Sequence, residues 1–262
     1  MCAQIGSAGE PVTRMSRAYP ERVEVRGRDL TGELMGRLTF TDYFHLLVTG
    51  KEPTEDQRFV LDLVLVSLAE HGMMPTNVAA RMTLAAAPDA LQGAVAAGIL
   101  GAGTVVLGTS AACAEILLAM QGRVDAGAPP AAVAGDVAAR YRSADEKLPG
   151  FGHPVHKPLD PRAERIFELA DERRLSGSYI ALARTLRDAV AHEWGRPLTL
   201  NVSLAIAAVM LDTRFSVASV RAVPILARTA SLLAHLAEEE ERPLGFLMAA
   251  KAEEAVEYRS AE

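Results

Sequence analysis

Residues 149–175 read PGFGHPVHKPLDPRAERIFELADERRL, and they hold a turn, a helix start and a helix body in succession. Gly150 and Gly152 permit a close backbone approach ahead of His153. Pro154 keeps that histidine on a rigid turn, and Lys157 follows as a mobile cation. Asp160 and Pro161 form a helix-opening pair, cap and first helical residue. Ile166, Phe167 and Leu169 then carry an apolar face toward Leu175. Arg162 falls in the first turn, where its charge opposes the positive end of the helix dipole at a cost of about 0.3–1 kcal/mol. A residue set against its local preference is a functional candidate and is expected to face an anion. The competing reading is a solvated arginine.

Outside that stretch, nearly every periodic segment reads as helix. Thr54 and Gln57 have capping-box spacing. Phe59, Val60, Leu63, Val64 and Leu68 then recur at helical intervals until Gly72, which leaves His71 at the helix end. Further helices are predicted over residues 178–194 (closed by Gly195), 201–211 (apolar and buried), 216–241 and 244–258. Pro224 lies inside the third of these spans, which predicts a kink or a late start there. Residues 22–26 (RVEVR) alternate, and one short extended piece with no sheet is expected. The predicted fold class is all-α.

Half the residues are apolar and about a quarter are charged, which is a globular composition that can bury a core. A net charge of −6 supplies no basic field, so a nucleic-acid partner is not expected. Cys2 and Cys113 make no metal or redox pattern, which suits a reducing, cytoplasmic setting. The opening stretch MCAQIGSAGEPVTRMSR has no apolar run, so no secretory signal is expected. Residues 90–114 carry no charge, yet they are mostly Ala and Gly with Gln92, Thr104, Thr109 and Ser110 among them. They read as buried helix broken by glycines and packed closely on another helix, and no membrane association is expected.

The segment Gly150–Phe151–Gly152–His153–Pro154–Val155, then Lys157, then Asp160–Pro161–Arg162–Ala163 closely resembles the GxGHxVxK…DPRA signature of citrate synthases. Other pieces fall in that family's order. Arg26, Gly27, Asp29 and Leu30 resemble its RGxDL entry, and residues 46–54 its LLxxGxxPT loop. His71 with Asn77 resembles the DHxxN segment, and residues 200–202 the LNVD segment. Residues 227–238 resemble ARTxGWxAHxxE, and residues 242–245 the terminal RPxxxY-type segment. The likeness runs from about residue 22 onward, and the chain's compactness is similar to citryl-CoA lyases and to the lyase module of ATP-citrate lyase.

The resemblance implies a citrate synthase-like fold with a large helical domain (1–107 and 214–262), a smaller one (108–213), and an active site in the cleft between them. It implies a carbon–carbon lyase or synthase acting on citryl-CoA or a related 3-hydroxyacyl-CoA, with a coenzyme A thioester as substrate or product and no metal. His153 would exchange a proton with the ketone or tertiary hydroxyl oxygen. His71 would hydrogen-bond the polycarboxylate, and Arg162, Arg228 and Arg242 would hold its carboxylates. Arg242 would cross from the partner of a homodimer. Lys157 would lie near the CoA phosphates, and the backbone of Gly150, Phe151 and Gly152 near the adenine. Without the resemblance, His71 reads as a cation at a helix C-terminus, Arg228 and His235 read as structural neighbours seven apart, and His156 reads as surface.

Two positions depart from the family pattern. Asn201 and Val202 are followed by Ser203 where an Asp is expected, and no His occurs between His71 and His153, where the family has His-Gly-Gly-Ala; the aligned position falls near Leu107. Ser203 acting through water, or Glu115, would replace these groups. The alternative is a divergent member that hydrolyses or simply binds CoA esters. The glycines at 101, 103 and 108 do not make a dinucleotide site, because no strand precedes them.

Overall fold

The computed structural model describes residues 11–260; Cys2 and the first ten residues of the opening stretch lie outside them. The chain divides into a compact unit ending at Arg58 and a larger one from Phe59 onward.

In the first unit, β1 (Ser16–Ala18), β2 (Val23–Val25) and β3 (Arg28–Asp29) form an antiparallel sheet in that order. Arg17 faces Glu24 and Val25 faces Arg28. The turn between β2 and β3 is two residues, Arg26 at φ 52° and Gly27 at φ 79°, the left-handed pair that matches the natural twist of a hairpin. This corrects the expectation of one extended piece without a sheet, because strands of two or three residues are too short to show a period. Leu30–Leu34 makes one wide helical turn. α1 (Phe40–Thr49) follows, with a reciprocal cap between Thr39 and Asp42 and a stop at Gly50 in the left-handed conformation. Val25, Leu34 and Leu46 form this unit's core. Thr54 and Gln57 exchange backbone–side-chain hydrogen bonds as expected, opening α2 (Glu55–Ala69).

The larger unit is helical: α3 (Pro75–Ala86), α4 (Leu91–Leu100), α5 (Thr109–Asp125), α6 (Pro130–Ser143), α7 (Pro161–Glu172), α8 (Ser178–Trp194), α9 (Val202–Asp212), α10 (Val217–Glu241) and α11 (Gly245–Ala255). α9 is its axis. Residues 204–210 are fully buried, and α5, α7, α8 and α10 all pack on it. A helix enclosed on all sides needs no polar stripe, which is why its sequence is continuously apolar. A second layer joins α3 to α4, α10 and α11, around Ala80, Leu84, Ala94, Leu232 and Leu236. Gly98 of α4 is required there, since a Cβ would lie 2.7 Å from Leu232 and 2.9 Å from the Thr76 carbonyl. The uncharged stretch 90–114 is α4, a non-helical bend, and the start of α5; the expectation that it is buried is corrected, because Leu91, Leu100 and Val105 are exposed and only one face of α4 packs on α3 and α10.

α10 starts at Val217 on a Ser216 cap and runs through Pro224 without interruption, so the alternative of a late start is not realised. By length and composition α10 alone among the described helices could cross a membrane. It buries Arg228 and Glu239 and packs on α3, α4, α5 and α9, as a core helix does. α8 has no side-chain cap from its own N-cap residue, Gly177. The carboxylate of Asp212, at the end of α9, accepts from the amides of Gly177, Tyr179 and Ile180 at 2.9–3.0 Å.

The glycine turn ahead of His153 is fastened to the start of α9. The Gly152 amide donates to the Thr199 carbonyl (2.7 Å), and the Asn201 amide donates to the Gly150 carbonyl (2.9 Å). The Asn201 side-chain amide donates to the Gly152 carbonyl (3.0 Å). Gly150 sits at φ 88°, and a Cβ there would come within 2.8 Å of the Leu204 Cβ and 3.1 Å of the Cys113 sulfur. Gly150→Ala is therefore expected to cost about 2–4 kcal/mol through overpacking and backbone strain, read as a lower midpoint in urea unfolding; an unchanged midpoint would contradict this packing.

Candidate active site

A cavity of about 490 Å³ in the larger unit is lined by His71, Met73, Met74, Leu107, Thr109, Ser110, Gly152, His153, Arg162, Asn201, Ser203 and Arg228, among others. The N-terminal residues of three helices meet there: Thr109 and Ser110 of α5, Arg162 of α7, and Val202 and Ser203 of α9. Helix N-termini favour negative charge. Among the described residues lining the cavity there is no carboxylate. Two guanidinium groups therefore face a space in which no carboxylate shares the lining.

Arg162 is explained by its neighbour. Asp160, fully buried, caps α7 through the Arg162 amide (3.1 Å) and accepts from Arg162 Nε at 3.0 Å and Nη2 at 2.9 Å. It also accepts from the Val202 amide at 3.0 Å. Burial pushes this carboxyl up, but the hydrogen bonds and charge of Arg162 and the Val202 amide outweigh it and hold it below the usual carboxylate range. The conflict between Arg162 and the helix dipole is thus offset by a carboxylate within the chain. The sequence marks Asp160 only as a cap, and nothing local signals its wider role.

Arg228 is buried in a different way. Nη1 donates to Asn77 Oδ1 (3.1 Å) and Nη2 to the Leu68 carbonyl (3.4 Å). Its Nε has no hydrogen-bond partner and is buried. Desolvation lowers its pKa, opposed by the charge of Glu70. A buried donor without a partner costs about 1–3 kcal/mol.

A polar scaffold between α3 and α10 holds Arg228 in place. Asn77 anchors on the Gly72 carbonyl (2.9 Å). Glu70 accepts from Ser231 Oγ (2.7 Å) and lies 2.9 Å from His235 Nε2. Arg81 Nε donates to His235 Nδ1 at 3.0 Å, and the Asn77 side-chain nitrogen lies 2.8 Å from His235 Nε2. Arg81 also pairs with Glu239 at 2.9 Å, both fully shielded, and with Glu238. Glu239 in turn accepts from the Leu244 and Gly245 amides. His235 is thus held among Asn77, Arg81 and Glu70.

Donors face both nitrogens of His153. Nδ1 accepts from the amides of Val155 (3.1 Å) and His156 (2.9 Å), and Nε2 lies 3.3 Å from Arg162 Nη2. Burial lowers its pKa most, followed by the charge of His156; the ring is neutral at pH 7. His71 is also lowered, chiefly by burial and then by Arg162. His156, expected at the surface, is half-buried instead and stacks on His153 with centroids 4.4 Å apart. His71 makes edge contacts with both. The fold brings His71 across from the end of α2, which sequence spacing cannot show.

Of the expected site residues, His71, His153, Arg162, Arg228, Ser203 and Gly152 share the cavity. Gly150, Phe151, Lys157 and Arg242 are not among its lining residues. Lys157 and Arg242 are exposed, and Gly150 is buried against Leu204 and Cys113. Glu115 lies instead in a neighbouring pocket, 3.7 Å from Arg221. Leu107, near the position where the resemblance expects a histidine, lines the cavity and holds a left-handed φ of 70°, a conformation costly for a leucine.

A helical unit thus brings His153, Arg162 and Arg228 to one cavity whose described lining carries no carboxylate. The chain belongs to the citrate synthase family, whose C-terminal domain it matches over residues 13–245. It is similar to a Mycobacterium tuberculosis protein provisionally named citrate synthase 2, at 30% identity over 204 residues, 72% of this chain. The chain spans about half the length of that curated relative, 49%. Among solved structures it resembles the citryl-CoA lyase of Hydrogenobacter thermophilus, at 26% identity and TM-score 0.83, covering 96% of this chain and 95% of that one. It shares its fold with the ATP citrate lyase of Methanothrix soehngenii, solved with citrate and coenzyme A, at 19% identity and TM-score 0.76, over 98% of this chain and 43% of that one.

Asp160→Ala is expected to strand the Arg162 charge and lower unfolding stability by about 3 kcal/mol, measured by urea denaturation at pH 7. Because the folded-state pKa of Asp160 is depressed, its contribution is present above the unfolded value, about 3.9, and fades as pH falls through the folded value. The gap between wild type and variant should therefore narrow in acid; a constant gap would contradict the pairing.

Proposed function

We propose that this chain cleaves or forms the carbon–carbon bond of a polycarboxylic acyl-CoA, with citryl-CoA going to acetyl-CoA and oxaloacetate. The observation that carries this reading is that Arg228, buried without an ion pair among the described residues, shares one cavity with Arg162 and His153. Two guanidinium groups suit two carboxylates of one substrate, because each can bind a carboxylate bidentately. The citryl-CoA lyase of Hydrogenobacter thermophilus supports the same assignment through its likeness over nearly the whole of both chains.

In the cleaving direction, the tertiary hydroxyl gives up its proton as the bond to the thioester α-carbon breaks. The oxygen becomes the ketone of oxaloacetate, and the electron pair moves into the thioester enolate, which then takes a proton at carbon. His153 Nε2, which carries the ring hydrogen because Nδ1 accepts the two amides, gives that hydrogen to the ketone oxygen in the bond-forming direction and takes it back in cleavage, and His71 holds a neighbouring carboxylate. The α5 start, which lacks a side-chain cap at Gly108, offers backbone amides to the enolate oxygen in place of the family's histidine. Ser203, through water, stands where the family's aspartate would be. Met73, Met74, Val105 and Val155 supply an apolar wall for the thioester arm.

Divided at the expected domain boundaries, the lining falls into residues 68–107 and 228 in one part of the chain and residues 109–203 in the other. That supports a cleft between a large domain (1–107 and 214–262) and a small one (108–213), whose closure would exclude water. Residues 150–152 and Lys157 would then meet the nucleotide end of CoA. Exposed Arg242, followed by exposed Phe246 and Leu247 on α11, suits a homodimer in which Arg242 reaches the partner's cavity. The free, buried Cys113 fits a cytoplasmic setting.

Incubation of metal-stripped protein with citryl-CoA should release oxaloacetate, followed by coupled oxidation of NADH. His153→Ala should lower kcat by about 10²–10⁴-fold with KM changed far less. A second reading, in which the chain binds or hydrolyses CoA esters, is favoured by the absence of a carboxylate among the described cavity residues. Free CoA appearing without oxaloacetate, or tight binding with no turnover, would decide for it.

A further inference from the structure

We propose that Ser110 is a further catalytic residue, whose hydroxyl donates a hydrogen bond to the oxygen of the thioester enolate; this rests on the carbon–carbon reaction proposed above. Ser110 is the second residue of α5, lines the cavity and is only 2% exposed. Its hydroxyl makes no hydrogen bond to any described residue. Among the described residues, the unpartnered side-chain atoms sealed from all open space are Gln121 Oε1 and Arg228 Nε. Ser110 Oγ is not one of them, so it keeps a small open surface, and the open space beside Ser110 is the cavity.

The three helix starts at the cavity are not equivalent. At α7 and α9, Asp160 accepts the amides of Arg162 and Val202, and Asn201 Oδ1 accepts the amide of Ser203. At α5, Gly108 supplies no side-chain cap. Helical side chains tilt toward the N-terminal end of their helix, so the Ser110 hydroxyl leans to the same end as those uncapped amides. Thr109, the other hydroxyl in that turn, is engaged elsewhere. Its Oγ1 faces back to the carbonyls of Thr104 (3.4 Å) and Val105 (3.5 Å) in the preceding bend.

Permanent charge and developing charge call for different partners. Arg162 and Arg228 suit the carboxylates, which are charged before and after the reaction. The enolate oxygen is charged only as the carbon–carbon bond breaks. A neutral donor held in a buried site gains most from that new charge and little from the resting thioester carbonyl, which is what lowers a barrier. Leu107, near the position where the family has a histidine, cannot donate, and Ser110 stands one turn along the same segment. Ser110 keeps its proton throughout. The electron pair of the broken bond spreads over the α-carbon and the oxygen, the hydrogen bond strengthens as it does, and the α-carbon then takes its proton through the water beside Ser203.

Ser110→Ala removes one oxygen and leaves a residue that a helix accepts readily. Its kcat with citryl-CoA should fall about 10²–10³-fold, the usual loss for one oxyanion donor, with KM moving far less. Carboxymethyl-CoA, a thioether whose carboxylate oxygens stand in for the enolate oxygen, is the equilibrium probe, titrated by calorimetry beside CoA itself. The variant should bind carboxymethyl-CoA at least about tenfold more weakly and CoA as wild type does. Wild-type kcat in the variant, or unchanged affinity for carboxymethyl-CoA, would overturn the assignment. Equal weakening of both ligands would overturn it too, since Ser110 would then only shape the cavity. Wild-type protein that releases no oxaloacetate would remove the reaction proposed above. The two titrations would then still decide the hydroxyl: weakening of carboxymethyl-CoA alone keeps it as an oxyanion donor, and equal affinities end it.

Discussion

Asp160 has no exposed surface, and three separate parts of the site depend on its carboxylate. It caps α7, grips the guanidinium of Arg162, and accepts the amide of Val202 at the start of α9. A carboxylate buried this deeply would be costly if unpaired. Here each interaction both satisfies the charge and fixes a cavity wall. Arg162 and Ser203 keep their places only while Asp160 joins the two helix starts.

The opposite wall follows a different logic. Arg228 is enclosed without a carboxylate of its own, while Arg81, seated one layer deeper, pairs fully with Glu239 and Glu238. The internal cation is neutralised and rigid, and it carries His235, which with Glu70 and Asn77 brackets Arg228. The cation at the cavity is left short of charge. An anionic ligand would supply what the protein withholds, and its binding energy would go to a group carrying the right charge in the right place.

Much of this is legible in the sequence. The capping pairs at Thr54 and Asp160 and the unbroken apolar run of α9 follow from local chemistry, and the structure contains each. The glycine turn ahead of His153 is legible for the same reason. What escapes is long-range. Asp212 caps a helix whose first residues lie more than thirty positions earlier, and Asp160 meets an amide 42 residues on. His156 cannot be separated from a surface residue by sequence, because its stacking partner and the ring of His71 converge only after folding. The small sheet is missed because its strands are shorter than one readable period. The departures from the family pattern, by contrast, are visible in the sequence and fall in one cavity. Leu107, in a strained left-handed conformation, and Ser203 line it together with the hydroxyl-bearing Thr109 and Ser110. Arg162 and Arg228 line it as well, so the two cations offered to a ligand are separate from the positions that depart.

That recognition is tested most directly by calorimetric titration of the protein with oxaloacetate and, separately, with acetate, in wild type and in Arg228→Gln. Saturable one-to-one binding of the dicarboxylate, none of the monocarboxylate, and a loss of about 2 kcal/mol or more in the variant are predicted. Equal affinity of wild type and Arg228→Gln for oxaloacetate would contradict the claim that the buried guanidinium is there to meet a carboxylate.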